Sequence, residues 1–140
     1  MKISVVINTF NSDRFLNQCL RSVEKFDEIV LCDMHSTDGT IAIAEKYGCR
    51  IVYHERTGIV EPARNYAIAQ AENEWVLVLD SDEVVPDALR EYLYRFAETA
   101  EQRGYAALKM ARKNYFLGRF MHLSLINISE PTRHSLISYA

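Results

Sequence analysis

The feature that most narrows the fold is a repeated alternation between short apolar runs suited to strands and longer segments whose apolar residues fall on one helical face. Residues 3–7 (Ile-Ser-Val-Val-Ile) form a β-branched run long enough for a buried strand, and residues 8–12 (Asn-Thr-Phe-Asn-Ser) follow with loop and helix-cap chemistry. Phe15, Leu16, Cys19, Leu20 and Val23 then recur at helical spacing and define one face. Residues 28–32 read as a second strand and residues 33–40 as the loop after it. The next helix points Ile41, Ala44 and Tyr47 inward and closes on Gly48, a residue suited to a left-handed C-terminal cap. A third strand is predicted over 50–54, a helix over 63–71 with Pro62 in its first turn, and a fourth strand over 74–79. Pro86 opens a further helix with Leu89, Leu93, Phe96, Ala97 and Ala100 along one side, and residues 105–111 make a fifth strand.

This alternation predicts an α/β fold: a Rossmann-like, mostly parallel sheet with helices on both faces, joined by right-handed crossovers. The fourth run, Glu-Trp-Val-Leu-Val-Leu, is apolar without alternation, which expects cover on both faces. Ligands of such sheets bind beyond the carboxyl ends of the strands. The polar residues Asn8, Asn11, Asp33 and Asp80 all follow strands and therefore share one rim.

With 140 residues, 49% of them hydrophobic, one domain with a real core is expected. A net charge of −3 with both signs interspersed gives no basic face, so nucleic acid is not the expected partner. Cys19, Cys32 and Cys49 stand at unrelated spacings in apolar stretches, which suits buried free thiols in a reducing compartment. Residues 3–7 are too short for a signal-peptide core, and no run approaches the ~20 apolar residues of a spanning helix. A cytoplasmic location is the expectation.

Asp80 and Asp82 are two carboxylates two positions apart at the mouth of a buried strand, where strand alternation would aim both the same way. Hard oxygen ligands there suit Mg²⁺ or Mn²⁺, an ion that would bridge nucleotide phosphates and neutralise a departing diphosphate. The competing reading is an acidic turn that caps the following helix. Asp33 could accept a hydrogen bond from a base N–H or bind ribose. The run Ser36, Thr37, Asp38, Gly39, Thr40 could equally be a turn and an N-cap. Arg64 could supply charge-assisted bonds to a phosphate, or be a solvated surface residue.

Taken in order, residues 3–11 (Ile-Ser-Val-Val-Ile-Asn-Thr-Phe-Asn), residues 27–33 running into 36–40, residues 63–67 (Ala-Arg-Asn-Tyr-Ala) and residues 75–83 (Trp-Val-Leu-Val-Leu-Asp-Ser-Asp-Glu) resemble the inverting glycosyltransferase family 2, with its GT-A fold. The similarity is strongest to members that build lipopolysaccharide cores and other bacterial surface glycans, and residues 112–119 look like that subgroup. The resemblance implies that Thr9 and Asn11 line a nucleoside pocket, that Asp33 holds the base or ribose, and that Arg64 lies near the nucleotide. It makes Asp80 and Asp82 the Asp-x-Asp motif, with Asp82 the direct metal ligand and Asp80 nearer the ribose. Met34 stands where many relatives carry a second Asp that contacts uracil, which leaves the base preference open; His35 has no assigned role. The implied reaction moves a sugar from a nucleotide-diphosphate donor to a glycan or lipid-linked acceptor by a single displacement. Its base is expected beyond residue 122, so the 140-residue chain is expected to be inactive alone. Lipid-linked acceptors keep peripheral association with the inner face of the membrane open.

Residues 123–133 (Leu-Ser-Leu-Ile-Asn-Ile-Ser-Glu-Pro-Thr-Arg) and 137–140 resemble a translated sequencing-library adapter. This divides the chain into residues 1–122, the nucleotide-sugar-binding part of a GT-A domain, and a non-native tail, 123–140, that includes the Asn127-Ile-Ser129 sequon. Two rivals are weighed against the transferase. A haloacid-dehalogenase-type phosphatase would use Asp80 as nucleophile and Asp82 as acid, but normally places its nucleophile after the first strand. A non-catalytic nucleotide-binding fragment would bind without metal dependence.

Overall fold

A computed structural model of the chain describes residues 1–59, 61–100, 102–110, 113–116, 119–122 and 135–139, with side chains up to residue 110, Glu61 excepted. The elements in chain order are β1 (Ile3–Thr9), α1 (Asp13–Val23), β2 (Glu28–Asp33), α2 (Thr40–Lys46), β3 (Arg50–Tyr53), α3 (Glu61–Ala69), β4 (Trp75–Asp80), α4 (Asp87–Ala100), β5 (Ala107–Met110), β6 (Lys113–Phe116), β7 (Arg119–His122) and β8 (Ser135–Tyr139). The predicted strand and helix alternation is present throughout the first 110 residues.

Six strands form one sheet in the order β3-β2-β1-β4-β8-β5, with parallel pairing at each neighbour. The chain builds outward from β1 through β2 to β3, then crosses back to place β4 on the other side of β1. Alternate residues of the central strands feed two cores. Val5, Ile7, Leu31, Trp75, Leu77 and Leu79 pack with Leu16 and Leu20 of α1, Ala44 of α2 and Leu93 of α4. Val6, Val30, Cys32, Val76 and Val78 pack against Ala67 and Ala71 on the α3 side. Burial on both faces explains why residues 75–79 carry no polar alternation. Each fully buried Val, Leu or Ile contributes about 1.5–3 kcal/mol of transfer free energy.

Leu16, Cys19, Leu20 and Val23 are all fully buried, as the helical spacing of α1 predicts. Phe15, expected on the same face, is instead 46% exposed, and the Arg14 guanidinium lies 5.0 Å over its ring. One residue corresponds to a turn of roughly 100° about the helix, which takes Phe15 off the stripe centred on Leu16 and Leu20. At the end of α2, Gly48 adopts φ +66°, donates to the Glu45 carbonyl at 3.1 Å, and is followed by Cys49 donating to Ala44 at 3.3 Å. This is the left-handed closure expected of that glycine.

Two strands run further than expected. β1 reaches Thr9 and β2 reaches Asp33, so Asn8, Thr9 and Asp33 are strand residues at the rim rather than loop residues. The ladder pairs Thr9 with Asp33, and their side chains bond to each other, so the polar pair extends the sheet instead of ending it. Residues 135–139, expected to lie outside the fold, form β8 and pair with β4 on one side and β5 on the other. The run Ser-Leu-Ile-Ser-Tyr carries strand chemistry of its own. Residues 113–116 and 119–122 make a separate antiparallel pair. The sequon at Asn127, Ala111 at the end of the expected fifth strand, and Arg112 at the head of the 112–119 segment lie outside the described residues. Among the described residues no helix is long and apolar enough to cross a membrane.

Candidate functional site

The strand order reverses between β1 and β4, and at such a switch point the loops above the two strands diverge and open a crevice at the carboxyl rim. Asn8 and Asp80 are register partners there and share the α3 face of the sheet. Arg64, in the first half of α3, approaches the Asp80 carboxylate at 3.7 Å, with side chains 39% and 46% exposed. An ion pair this open contributes at most about 1 kcal/mol, so the pair is loose enough to exchange for a ligand. The Oδ1 of Asn8 and the Nε of Arg64 are both buried without a hydrogen-bond partner among the described residues. The crevice thus holds an acceptor and a donor that the fold itself does not use.

The backbone turns immediately after Asp80. Glu83 N donates to the Asp80 carbonyl at 3.0 Å, and the Glu83 carboxylate accepts from Asp80 N at 2.8 Å. Asp82 is exposed on this turn, so the strand alternation expected to align it with Asp80 does not extend to it. Nor does the acidic pair cap the next helix, because α4 begins only at Asp87. Beneath the turn, Cys19 is fully buried with its Sγ 3.6 Å from the Asp80 carbonyl. Burial first, then the nearby Glu83 and Asp82 carboxylates, push its thiol up to about 12. Burial likewise raises Cys32 and Cys49 to about 11; all three cysteines are free, Cys19 and Cys32 buried and Cys49 half-buried, in line with the core role expected of them.

Thr9, Asn11 and Asp33 come together on the neighbouring stretch of rim. Asp33 is fully buried; its Oδ1 accepts from Thr9 Oγ1 at 2.7 Å and Ser36 Oγ at 2.6 Å, and its Oδ2 from Ser36 N at 2.7 Å. Three strong donors offset the desolvation of this buried carboxylate. Asn11 takes the left-handed φ of 45°, receives Thr37 N on its Oδ1 at 2.8 Å, and donates its own N–H to Ser36 Oγ at 2.8 Å. Asp38 accepts from Thr40 N at 3.0 Å and Asp13 N at 3.2 Å, which makes the 36–40 run a turn and cap. The result is a braced pair of loops, with Asn11 exposed on top and Asp33 sealed beneath.

Along the same rim, a cavity of about 490 Å³ is lined by Phe10 after β1, Met34 after β2, and Arg56, Thr57, Gly58 and Ile59 after β3. Sequence reasoning missed Phe10 and Arg56; the Arg56 guanidinium lies 4.0 Å over the Phe10 ring, a contact between residues 46 apart with no local sequence signal. His35, at φ 59°, stacks on Tyr53 at 5.5 Å. A cavity of about 510 Å³ between α1 and the start of α4, lined by Arg21, Lys25, Pro86 and Arg90, is slightly larger. It lies beside the sheet rather than over the strand ends, and size alone does not make it the site.

Asp80 and Asp82 offer hard carboxylate oxygens, and the orphaned Asn8 Oδ1 beside Asp80 is an acceptor suited to a metal-bound water, so these residues fit a divalent cation. Among the described residues no group of three or more His, Cys, Asp or Glu side chains gathers around one point, which leaves most of the coordination to phosphate and water.

A parallel sheet wound in both directions from β1, with an Asp-Ser-Asp turn at the end of β4, is the front of a GT-A fold. The chain belongs to the family described as "Glycosyl transferase family 2", whose profile matches residues 4–135. The lipopolysaccharide core biosynthesis glycosyltransferase LpsC of Rhizobium meliloti (strain 1021) is 29% identical over 123 residues, which covers 84% of this chain and 44% of LpsC. The poly(ribitol-phosphate) beta-N-acetylglucosaminyltransferase TarS of Staphylococcus aureus (strain Mu50 / ATCC 700699) is 38% identical over 96 residues, 61% of this chain and 17% of TarS. The crystal structure of S. aureus TarS 1-349 in complex with UDP superimposes with a TM-score of 0.66 at 31% identity, over 85% of this chain and 37% of that one. Glucosyl-3-phosphoglycerate synthase from Mycobacterium tuberculosis, in complex with Mn²⁺, UDP and glucosyl-3-phosphoglycerate, superimposes with a TM-score of 0.63 at 26% identity, over 78% of this chain and 43% of that one. The chain spans less than half the length of each of these relatives.

Proposed function

We propose that this chain forms the donor-binding part of a glycosyltransferase that moves a sugar from a nucleotide-diphosphate donor to a glycan or lipid-linked acceptor in bacterial surface polysaccharide synthesis. The observation that carries the reading is the order of groups along one rim. The cavity lies over the ends of β3, β2 and β1, and Asp80, Arg64 and Asp82 stand at the adjoining end of β4. From β2 to β4 is two strand spacings, on the order of 10 Å, which matches the reach of a nucleoside diphosphate from base to phosphates. On this reading the base occupies the cavity, Asn11 faces the nucleoside, and Asp33 and Thr9 hold the loops that shape it. Arg64 gives charge-assisted hydrogen bonds to the diphosphate, and its loose pairing with Asp80 leaves it able to do so.

Asp80 and Asp82 would hold Mg²⁺ or Mn²⁺. When bound, the ion neutralises the charge that grows on the departing diphosphate. The acceptor hydroxyl attacks the anomeric carbon from the opposite side as the diphosphate leaves, which inverts the configuration. Among the described residues none is assigned as its base, and donor binding is the part of the reaction proposed for residues 1–122. The names of LpsC, a lipopolysaccharide core biosynthesis glycosyltransferase, and TarS, a poly(ribitol-phosphate) beta-N-acetylglucosaminyltransferase, support that setting, and with a lipid-linked acceptor the proposal extends to peripheral association with the inner face of the membrane.

Calorimetric titration of UDP and GDP with and without Mn²⁺, on the native chain and on Asp82→Ala, tests the reading. Binding that needs both Mn²⁺ and Asp82 is expected. Equal binding in the absence of metal, or in the variant, would leave a nucleotide-binding fragment without the transferase's metal site.

A further inference from the structure

The cavity over β1, β2 and β3 has few polar side chains among the described residues that line it. Among the described residues that line it, Arg56 is the sole charged side chain; Phe10, Met34, Gly58 and Ile59 offer no side-chain hydrogen bond beyond the weak thioether acceptor, and Thr57 offers one hydroxyl. That hydroxyl donates to the Ile59 carbonyl at 2.6 Å, so toward a ligand it can only accept. The Asp33 carboxylate lies close in sequence to Met34 but is fully buried and bonded to Thr9 and Ser36, so it presents no acceptor to the cavity. The Phe10 ring, 4.0 Å from the guanidinium carbon, holds Arg56 at the cavity wall by a cation–π contact. What the pocket offers a base is therefore an aromatic ring, an adaptable thioether, one hydroxyl acceptor and a planar fork of donors.

We infer that Arg56 is a specificity-determining residue, and that it selects bases presenting two adjacent acceptors: guanine through O6 and N7, and cytosine through O2 and N3. A guanidinium fork satisfies two such acceptors at once. Uracil sets each carbonyl beside N3–H, so the fork gains one bond and faces a donor, which finds no side-chain carboxylate in the cavity. Adenine sets N7 beside an amino donor, an edge that suits Gln or Asn rather than Arg. The volume of about 490 Å³ admits a purine. This inference rests on the donor-site reading above, but the two fail differently.

The test is the affinity of GDP, CDP, UDP and ADP for the chain in the presence of Mn²⁺, for the native protein and for Arg56→Gln. Using the ratio between bases cancels whatever Arg56 contributes through its charge to the diphosphate they share. GDP and CDP are expected to bind at least about tenfold more tightly than UDP and ADP, the low end for one bidentate contact. In Arg56→Gln the GDP-to-ADP ratio is expected to fall by about tenfold or more, since Gln pairs with the adenine edge. Four nucleotides of equal affinity in the native chain would overturn the inference while leaving the donor site intact. So would a variant in which all four weaken equally, because Arg56 would then act on phosphate. Absence of binding by every nucleotide would overturn both readings.

Discussion

Asp33 places a carboxyl group where it has no solvent contact, and Thr9 and Ser36 supply three hydrogen bonds to it there. Removing one donor leaves a buried acceptor under-satisfied, which costs about 1–3 kcal/mol. Thr9→Val is therefore expected to lower the unfolding free energy read from denaturant curves by that amount and, by loosening the braced loops, to weaken nucleotide binding as well. Unchanged stability would mean that water takes the place of the lost hydroxyl. At the opposite end of the sheet, Glu28 accepts from Ser4 Oγ, from Glu72 N at 3.0 Å and from Arg50 at 2.7 Å. Burial opposes ionisation of Glu28, but the bonds from Ser4, Glu72 and Arg50 outweigh it and hold the carboxyl below its ordinary value. A depressed carboxyl pKa stabilises the fold above the unfolded value, about 4.3, and that contribution is lost as pH falls through the lower folded value. Glu28→Gln is thus expected to cost about 1–3 kcal/mol at pH 7, with the gap to the native chain closing below pH ~4 in paired denaturation curves. A gap that is constant with pH would assign the effect to shape rather than charge.

At the scale of elements, the sheet's composition follows the hydrophobic pattern closely. The two cores divide the odd and even residues of β1 and β4, as unbroken apolar runs require. The pattern was less informative where polar residues pair across strands: nothing local in Asn8-Thr9 or Cys32-Asp33 indicates that each strand continues, because the reason is the cross-strand bond between Thr9 and Asp33. The cavity was illegible for a similar cause, since it joins loops after three separate strands and its central contact links Phe10 to Arg56. The Asp-Ser-Asp motif was legible as a site but not in its geometry, because the turn fixed by Glu83 takes Asp82 out of strand alternation. β8 raises a separate point. It supplies the parallel ladder to β5 and covers the edge of β4. Truncation after His122 is expected to lower thermal stability and to remove hydrogen-exchange protection from residues 107–110, while residues 75–80 keep the protection given by β1. Unchanged exchange at 107–110 would show that β8 does not hold β5 in solution.

Over the whole molecule, the two directions of winding from β1 do the positioning. Outward growth through β2 and β3 assembles the cavity; the return to β4 sets the acidic turn beside it, and α3 brings Arg64 across the junction. A phosphatase reading of Asp80 and Asp82 has no comparable support, since the chain belongs to glycosyltransferase family 2 and has the GT-A fold. The central claim is that a nucleoside diphosphate lies along this rim with its phosphates at Asp80 and Asp82. Its most direct test is a crystal of the chain grown with GDP and Mn²⁺, with anomalous diffraction recorded at the manganese edge. The account predicts one strong anomalous peak between the diphosphate and the Asp80 and Asp82 carboxylates, with the base in the cavity beside Phe10 and Arg56. Manganese away from this turn, or the nucleotide seated in the cavity between α1 and α4, would contradict it.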